Sequence, residues 1–360
     1  MRPLRLLLIA LALSLVTAAC GGDDEAPTTT TTTTTSSTST TLPPSTTTSS
    51  STTTTTVVAG PTSLLNGLPL DVDADLDRRV VAIKIDNHPD ARPQSGVQDA
   101  EAVIEIIVEG GITRFITLFH GTDSDYVGPI RSGRPTDPGM IRPLGATFQI
   151  SGAQPWVQSL INAAGVPFLT ETQGSTFRIP AGNRAYERTL YGTTQGVRDV
   201  ADARGFPDDP PPSSWFAFGA PSPSTVTAVG VTMSWDANLP EVRWQWDGER
   251  YLRSNGDTPH DWIDLEGNRG QIAADTLLVI KAAQYTACPS GSGSCVPAEE
   301  TTGSGEALLF SEGTVVEGTW ERESIADFFT LTTTDGAEMV VPAGHLWVSV
   351  FPNHRPLSWE

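Results

Sequence analysis

The sequence predicts an α+β body of two domains. The first is a mixed α+β unit around a hairpin-containing sheet, and the second is mostly antiparallel β. Three observations carry this. Between residues 64 and 204, strand-length apolar runs are mixed with two helix-length segments. A break follows at Pro210-Pro211-Pro212, which suits neither a helix nor a central strand, and Pro221-Ser222-Pro223-Ser224 repeats it. From 226 to 351 short strand signals recur at close spacing. The domains are placed at 61–218 and 219–360.

In the first domain, residues 80–85 read as a buried strand closed by Asp86-Asn87-His88-Pro89. Residues 102–108 and 112–119 are two strands flanking Gly110-Gly111, a two-residue hairpin signal. Residues 146–151 form a fourth strand. Residues 154–164 and 194–204 read as helices, stopped by Gly165 and Gly205. In the second domain, residues 242–246 and 251–253 flank the turn signal Asp247-Gly248, and strands follow at 276–283, 306–310, 315–320, 329–333 and 339–341. Trp244, Trp246, Trp262, Trp320, Trp347 and Trp359 are expected to fill a β core rather than to stack on sugars.

The N-terminus reads as an address. Arg2 and Arg5 precede an apolar run at 6–16, which falls short of the ~20 residues that a membrane-spanning helix needs. It ends in Val16-Thr17-Ala18-Ala19-Cys20, which resembles a bacterial lipobox. Residues 1–19 are therefore read as a lipoprotein signal peptide and Cys20 as the lipidated residue, since more than one acyl chain anchors a protein stably. The Thr/Ser-rich tract 20–60 cannot bury enough apolar surface to fold and is read as a disordered linker. As a flexible chain it averages about 35 Å end to end. The expected location is the outer face of the bacterial cytoplasmic membrane, with the body in the cell-wall space.

Lys and Arg number 22 against 42 Asp and Glu, a net charge of -20, which argues against nucleic acid as a partner. Three cysteines exclude a disulfide-dense scaffold and a multi-cysteine zinc module. Cys288 and Cys295 bracket a flexible loop and are expected to form a disulfide outside the cytoplasm. The histidines show no metal-ligand spacing, and Asp71 to Asp77 lacks the Gly and Glu of a calcium loop. No phosphate-binding or dinucleotide fingerprint and no serine-hydrolase signature is present. No metal and no cofactor are expected.

The densest polar constellation runs from Lys84 to Arg134. Pairing 107 with 114 and 109 with 112 across the hairpin puts Glu105, Ile107, Glu109, Ile112, Arg114 and Ile116 on one face. Arg114 would then lie diagonally between two carboxylates. The loop Gly128-Pro129-Ile130-Arg131-Ser132-Gly133-Arg134 either presents two planar guanidinium forks to one anion or pairs its arginines with Glu105, Glu109 or Asp86. The candidate ligand-binding residues are Asp86, Asn87, Arg92, Glu105, Glu109, Arg114, Arg131 and Arg134.

These residues also carry a resemblance. The run K-I-D-N-H-P-D-A-R-P-Q-S-G, then V-E-G-G-I-T-R-F, then G-P-I-R-S-G-R resembles the YerB-like bacterial lipoproteins, domain of unknown function 3048. The second half is similar to that family's C-terminal domain in Tyr251-Leu252-Arg253, Pro259-His260-Asp261, Gly318-Thr319-Trp320 and Pro342-Ala343-Gly344-His345-Leu346-Trp347-Val348. Where the family tends to carry His-Asn before Leu-Tyr, this chain has Arg188-Thr189-Leu190-Tyr191. The resemblance implies a two-domain α+β lipoprotein and supplies no activity.

The first functional expectation is a binding module that captures an anionic wall component or an envelope protein through an Arg/Glu groove. The alternatives are an envelope hydrolase using Asp86, Glu105 or Glu109 as acid or base, and a structural scaffold of a membrane complex. Glu105 and Glu109, four apart on a strand, would sit roughly 13 Å apart, beyond the about 5–9.5 Å of a glycosidase pair. No catalytic residue is assigned.

Overall fold

The computed structural model describes residues 60–360. The signal segment 1–19, Cys20 and the linker up to residue 59 lie outside the described residues.

At the centre are β1 (Val81–Asp86), β2 (Ala102–Ile107) and β3 (Thr113–Phe119), buried along their whole length. Both faces of their sheet are covered, which is why these strands read as near-continuous apolar runs rather than as alternation. β1 pairs antiparallel with β3 and parallel with β4 (Thr147–Gln149), which pairs parallel with β5 (Phe168–Leu169). On the other side β2 pairs parallel with Leu346–Pro352, and that strand pairs parallel with Thr276–Ala282. Gly303–Ser311, Thr314–Arg322 and Thr330–Thr333 extend the sheet to ten strands. The two sequence domains thus share one sheet. Leu346–Pro352, which carries no separate strand signal in the reading above, covers the edge that β2 would otherwise expose.

One face of the sheet carries Ala82, Ile104, Ile106 and Ile116 against α1 (Asp137–Ile141), α2 (Pro155–Ala163) and the buried Trp215 and Phe216. The other face carries Ile83, Ile85, Phe115 and Trp347. It packs on α3 (Thr194–Ala203) and on a second sheet that includes Gly230–Met233, Val242–Trp246, Tyr251–Asn255 and Leu357–Trp359. Both predicted helices form at their expected places. α2 ends before Gly165 at φ 68°. At α3, the Thr193 hydroxyl accepts from Gly196 N at 2.9 Å, a side-chain N-cap. Trp244, Trp320 and Trp347 are core residues, while Trp246, Trp262 and Trp359 are partly buried. Of the strand expected at 339–341, only Val341–Pro342 is extended, parallel to Phe218–Gly219.

The central hairpin differs from the expected pairing by one residue. Ile107 lies opposite Thr113 and Ile106 opposite Arg114. The connection is a three-residue loop, Glu109–Gly111, closed by Val108 N donating to Ile112 O at 2.8 Å. Both glycines have positive φ, 73° and 74°. Because side chains alternate with period two, one extra loop residue sends the partner strand's whole set to the opposite face. Glu105 therefore shares a face with Thr113 and Phe115, and Arg114 lies on the other side of the sheet. The expected ladder of Arg114 between Glu105 and Glu109 does not exist.

Cys288 and Cys295 sit at the tip of the hairpin Gln284–Ala287/Val296–Glu299, their sulfurs 2.10 Å apart. This tip touches the first half of the chain: Ser294 N donates to Gln154 Oε1 at 2.8 Å, and Gln154 Nε2 donates to Ser294 O at 3.2 Å.

Candidate functional site

A closed circuit of buried side chains lies between the two sheets. Arg253 Nη2 donates to Glu105 Oε1 at 2.7 Å, and both residues are fully buried. Arg253 Nη1 donates to His260 Nδ1. A guanidinium cannot accept, so the imidazole proton is on Nε2, which donates to Gln94 Oε1 at 2.8 Å. Gln94 Nε2 donates to Asn87 Oδ1 at 3.0 Å, and Asn87 Nδ2 to Thr113 Oγ1 at 2.7 Å. The Thr113 hydroxyl closes the ring on Glu105 Oε1 at 2.6 Å. Arg253 donates into both arms of the circuit, and both arms end on Glu105 Oε1, which accepts from each. Trp347 Nε1 satisfies the other Glu105 oxygen at 2.9 Å. Phe115, Trp347 and Trp244 surround the guanidinium of Arg253, their ring centroids at 5.3, 5.5 and 5.7 Å. Burial first, then the cations Arg253 and Arg92, hold His260 well below the ordinary histidine range, so it is neutral at pH 7.

Strand alternation explains the placement. Trp244 and Val242 point inward from Val242–Trp246, and Tyr251 and Arg253 do so from the facing strand. The inward position at 253 thus holds a cation, which requires the buried carboxylate that β2 supplies.

Arg92 hangs from this ring. Its Nε donates to Asn87 Oδ1 at 3.1 Å and its Nη2 to Asn87 O at 3.2 Å. Among the described residues Nη1 has no partner, and no carboxylate lies within ion-pair distance of Arg92. Burial and the neighbouring Arg253 lower its pKa to about 10, against the raising pull of Glu105 and Asp86, so it remains a cation. Arg92 lines a cleft of about 420 Å³ together with Asn255, His260, Asp261 and Arg269. Arg269, exposed, likewise has no carboxylate partner among the described residues.

Asp86, Arg114, Arg131 and Arg134 form a second group, beside the C-terminal end of β1. Arg131 N donates to Lys84 O and Asp86 N to Pro129 O, so the 128–134 loop runs along β1 as an added edge. Asp86 is buried. Its Oδ2 lies 3.5 Å from Arg131 Nε and 3.6 Å from Arg188 Nε. Arg134 pairs with Glu109 at 2.7 Å, and Arg114 Nη1 donates to Ser132 O at 2.8 Å. Burial first, then Arg134, lowers Arg114 to about 9. Arg188 also lies 3.6 Å from Asp90 and 3.9 Å from Glu187. Arg131, Arg134 and Arg188 are matched by carboxylates of the same chain, the outcome the sequence offered as the alternative to a shared anion, while Arg114 rests on the Ser132 carbonyl. Beneath it, Lys84 and Asp137 form a fully buried pair at 2.6 Å, near Glu299, whose carboxyl burial raises to about 8.

The expected single groove is therefore two sites on opposite faces of the sheet. Asn87, Arg92 and Glu105 belong to the ring and cleft; Asp86, Glu109, Arg114, Arg131 and Arg134 belong to the compensated cluster. A backbone link joins them, Gln94 Nε2 donating to Asp86 O at 3.1 Å. Sequence reasoning did not select Gln94, Thr113, Arg188, Arg253, His260 or Trp347 as site residues. A cation at an inward strand position was the available signal for Arg253.

The ring joins two segments that also match family models separately. Residues 65–207 match the model described as Protein of unknown function (DUF3048) N-terminal domain, and residues 229–348 match its C-terminal domain. Glu105, Gln94, Asn87 and Thr113 come from the first match, Arg253 and His260 from the second. The chain is 24% identical over 284 residues to YerB, an inferred lipoprotein of Bacillus subtilis (strain 168), covering 77% of this chain and 82% of that protein. The crystal structure of the Bacillus subtilis YerB protein shares the fold, with a TM-score of 0.68 at 23% identity over 83% of this chain and 99% of that one. With both domains matched in order across most of its body, the chain belongs to the DUF3048 family, the YerB-like proteins.

Proposed function

We propose that this protein is a lipid-anchored binding module of the bacterial envelope that captures an anionic group at Arg92. The observation that carries the reading is a partly buried guanidinium, fixed in place by Asn87, that lines a cleft and has no carboxylate partner among the described residues. A cation so placed is held in position for an incoming anion before the ligand arrives. The lipobox-like segment ending at Cys20 supports the anchor, and the inferred lipoprotein YerB is consistent with it. The 20–60 tract would give the body reach into the wall space.

The hydrolase reading has less support. Glu105 is saturated by Thr113, Arg253 and Trp347, Glu109 is bound by Arg134, and Asp86 is flanked by two arginines. Nothing in the geometry singles out a scaffold role.

The test is co-sedimentation of the unlipidated chain (Cys20→Ser) with purified cell walls. Arg92→Ala should abolish pelleting, and Arg131→Ala with Arg134→Ala should leave it nearly intact. Loss only in the second variant would move the site to the Asp86 cluster. No pelleting of the parent protein would refute capture of a wall component.

A further inference from the structure

Resting on that reading, we propose that the captured anion is the C-terminal carboxylate of a peptide whose last residue is small and aliphatic. Adjoining the cleft at Arg92 is a recess of about 70 Å³, with which it shares Pro89, Arg92, Pro240 and Asn255 as walls. The recess's remaining surface is mostly apolar: Ile112, Trp235, Leu239 and Val242. Arg92 thus stands where a polar mouth meets an apolar recess.

Size selects the side chain. An apolar cavity of about 150 Å³ holds a benzene ring, so a recess of about 70 Å³ suits a methyl to an isopropyl group better than an aromatic ring. Charge selects the anion. Arg92 keeps the two Nη1 hydrogens and one Nη2 hydrogen to offer along one edge, and a second cation without a carboxylate partner among the described residues, Arg269, stands exposed at the mouth. One guanidinium edge matches a monoanionic planar carboxylate better than a doubly charged phosphate monoester. The mouth also suits a peptide backbone. Asn255 Oδ1 accepts from Arg253 at 3.3 Å, leaving its amide N–H groups without a partner among the described residues, and the Asp261 carboxylate lines the same wall. A carbonyl and an N–H of the penultimate peptide unit can use these two. His260, neutral, adds no charge. The ligand would therefore lie with its carboxylate on Arg92, its terminal side chain in the recess and its chain running out past Asn255.

The experiment is an NMR titration of the Cys20→Ser chain, which reads weak and tight binding alike. The ligands are N-acetyl-alanyl-alanine in both enantiomeric series, its C-terminal amide, N-acetyl-alanyl-phenylalanine, acetate and inorganic phosphate. The free acid of one series should bind, with shifts at Trp235 and Asn255. The amide and the phenylalanine peptide should bind at least tenfold more weakly. Leu239→Trp, which fills the recess from a partly exposed wall position, should lose the dipeptide while keeping the parent's unfolding temperature. Arg92→Ala should lose it as well, and the Leu239 variant keeps the test sound if Arg92→Ala unfolds. Equal binding of acid and amide, or of the alanine and phenylalanine peptides, would overturn the proposal. Acetate or phosphate binding at Arg92 with no preference for the dipeptide would overturn it while leaving anion capture standing. No binding of any anion at Arg92 would overturn both.

Discussion

Replacing Arg253 with methionine tests whether the buried ring is the interaction that joins the two halves. The substitution keeps an apolar stem among Phe115, Trp244 and Trp347 and deletes the charge. It leaves Glu105, which is fully buried, as an uncompensated carboxylate with only the neutral donors Thr113 and Trp347. It also leaves His260 Nδ1 without its donor. Removing one partner of a buried ion pair costs about 3–5 kcal/mol. At about 2 °C per kcal/mol for a body of this size, that is a fall of roughly 6–10 °C in Tm. Arg131→Ala is the control, since its 3.5 Å contact to Asp86 is made by a side chain 24% exposed. Arg188 still lies 3.6 Å from the buried Asp86 carboxylate in that variant, so the fall should be clearly smaller than for Arg253→Met. Thermal unfolding by circular dichroism at pH 7 reads both. Adding Glu105→Gln to Arg253→Met should recover part of the loss, because the buried charge is then gone, so the double variant should be more stable than the sum of the singles implies. A fall below about 2 °C for Arg253→Met, or strict additivity, would refute the assignment of the ring as an energetic unit.

Three further outcomes follow from the same geometry. Burial raises the Glu299 carboxyl from an ordinary 4.5 to about 8. Between those values the folded chain holds a proton that the unfolded chain has released, so stability should fall as pH rises, by up to about 1.4 kcal/mol per unit. Urea unfolding across pH 5–8 should show that slope, and Glu299→Gln should flatten it; an equal slope in the variant would refute the shift. Gly110→Ala should cost about 1 kcal/mol for positive φ alone. Gly111→Ala should cost clearly more, because a Cβ there would sit 2.4 Å from the Asp236 Cβ, and equal midpoints for the two would count against the observed hairpin register. Replacing Cys288 and Cys295 by serine should lower stability by about 2–3 kcal/mol if the loop is cross-linked; a reductant that leaves the parent's midpoint unchanged would show that it is not.

What could be read in the sequence was what local chemistry decides. Apolar runs located β1 to β3, and Gly165 and Gly205 located the helix ends, because those signals lie within a few residues of what they specify. Gly110-Gly111 gave the hairpin and not its register. A two- and a three-residue loop carry the same glycine pair, and nothing local distinguishes them; in the fold Gly111 lies against Asp236, far away in sequence. That one extra loop residue decided the candidate site, because it moved Glu105 and Arg114 to opposite faces. The ring itself was hidden for a related reason. Asn87 and Gln94 lie in one quoted segment and Arg253 and His260 in another, but nothing local says that these segments meet. They meet because Leu346–Pro352 crosses into the sheet beside β2 and carries Trp347 over Glu105. Arg92 was selected from the sequence as one arginine among several. Its distinction from Arg131 and Arg134 is that it lacks a carboxylate partner among the described residues, a property of the assembled fold that no spacing along the chain encodes. The most informative residue here is therefore a cleft-lining cation without a carboxylate partner among the described residues, and the ring that fixes Asn87 gives a physical reason for Arg92 to stay in place without one.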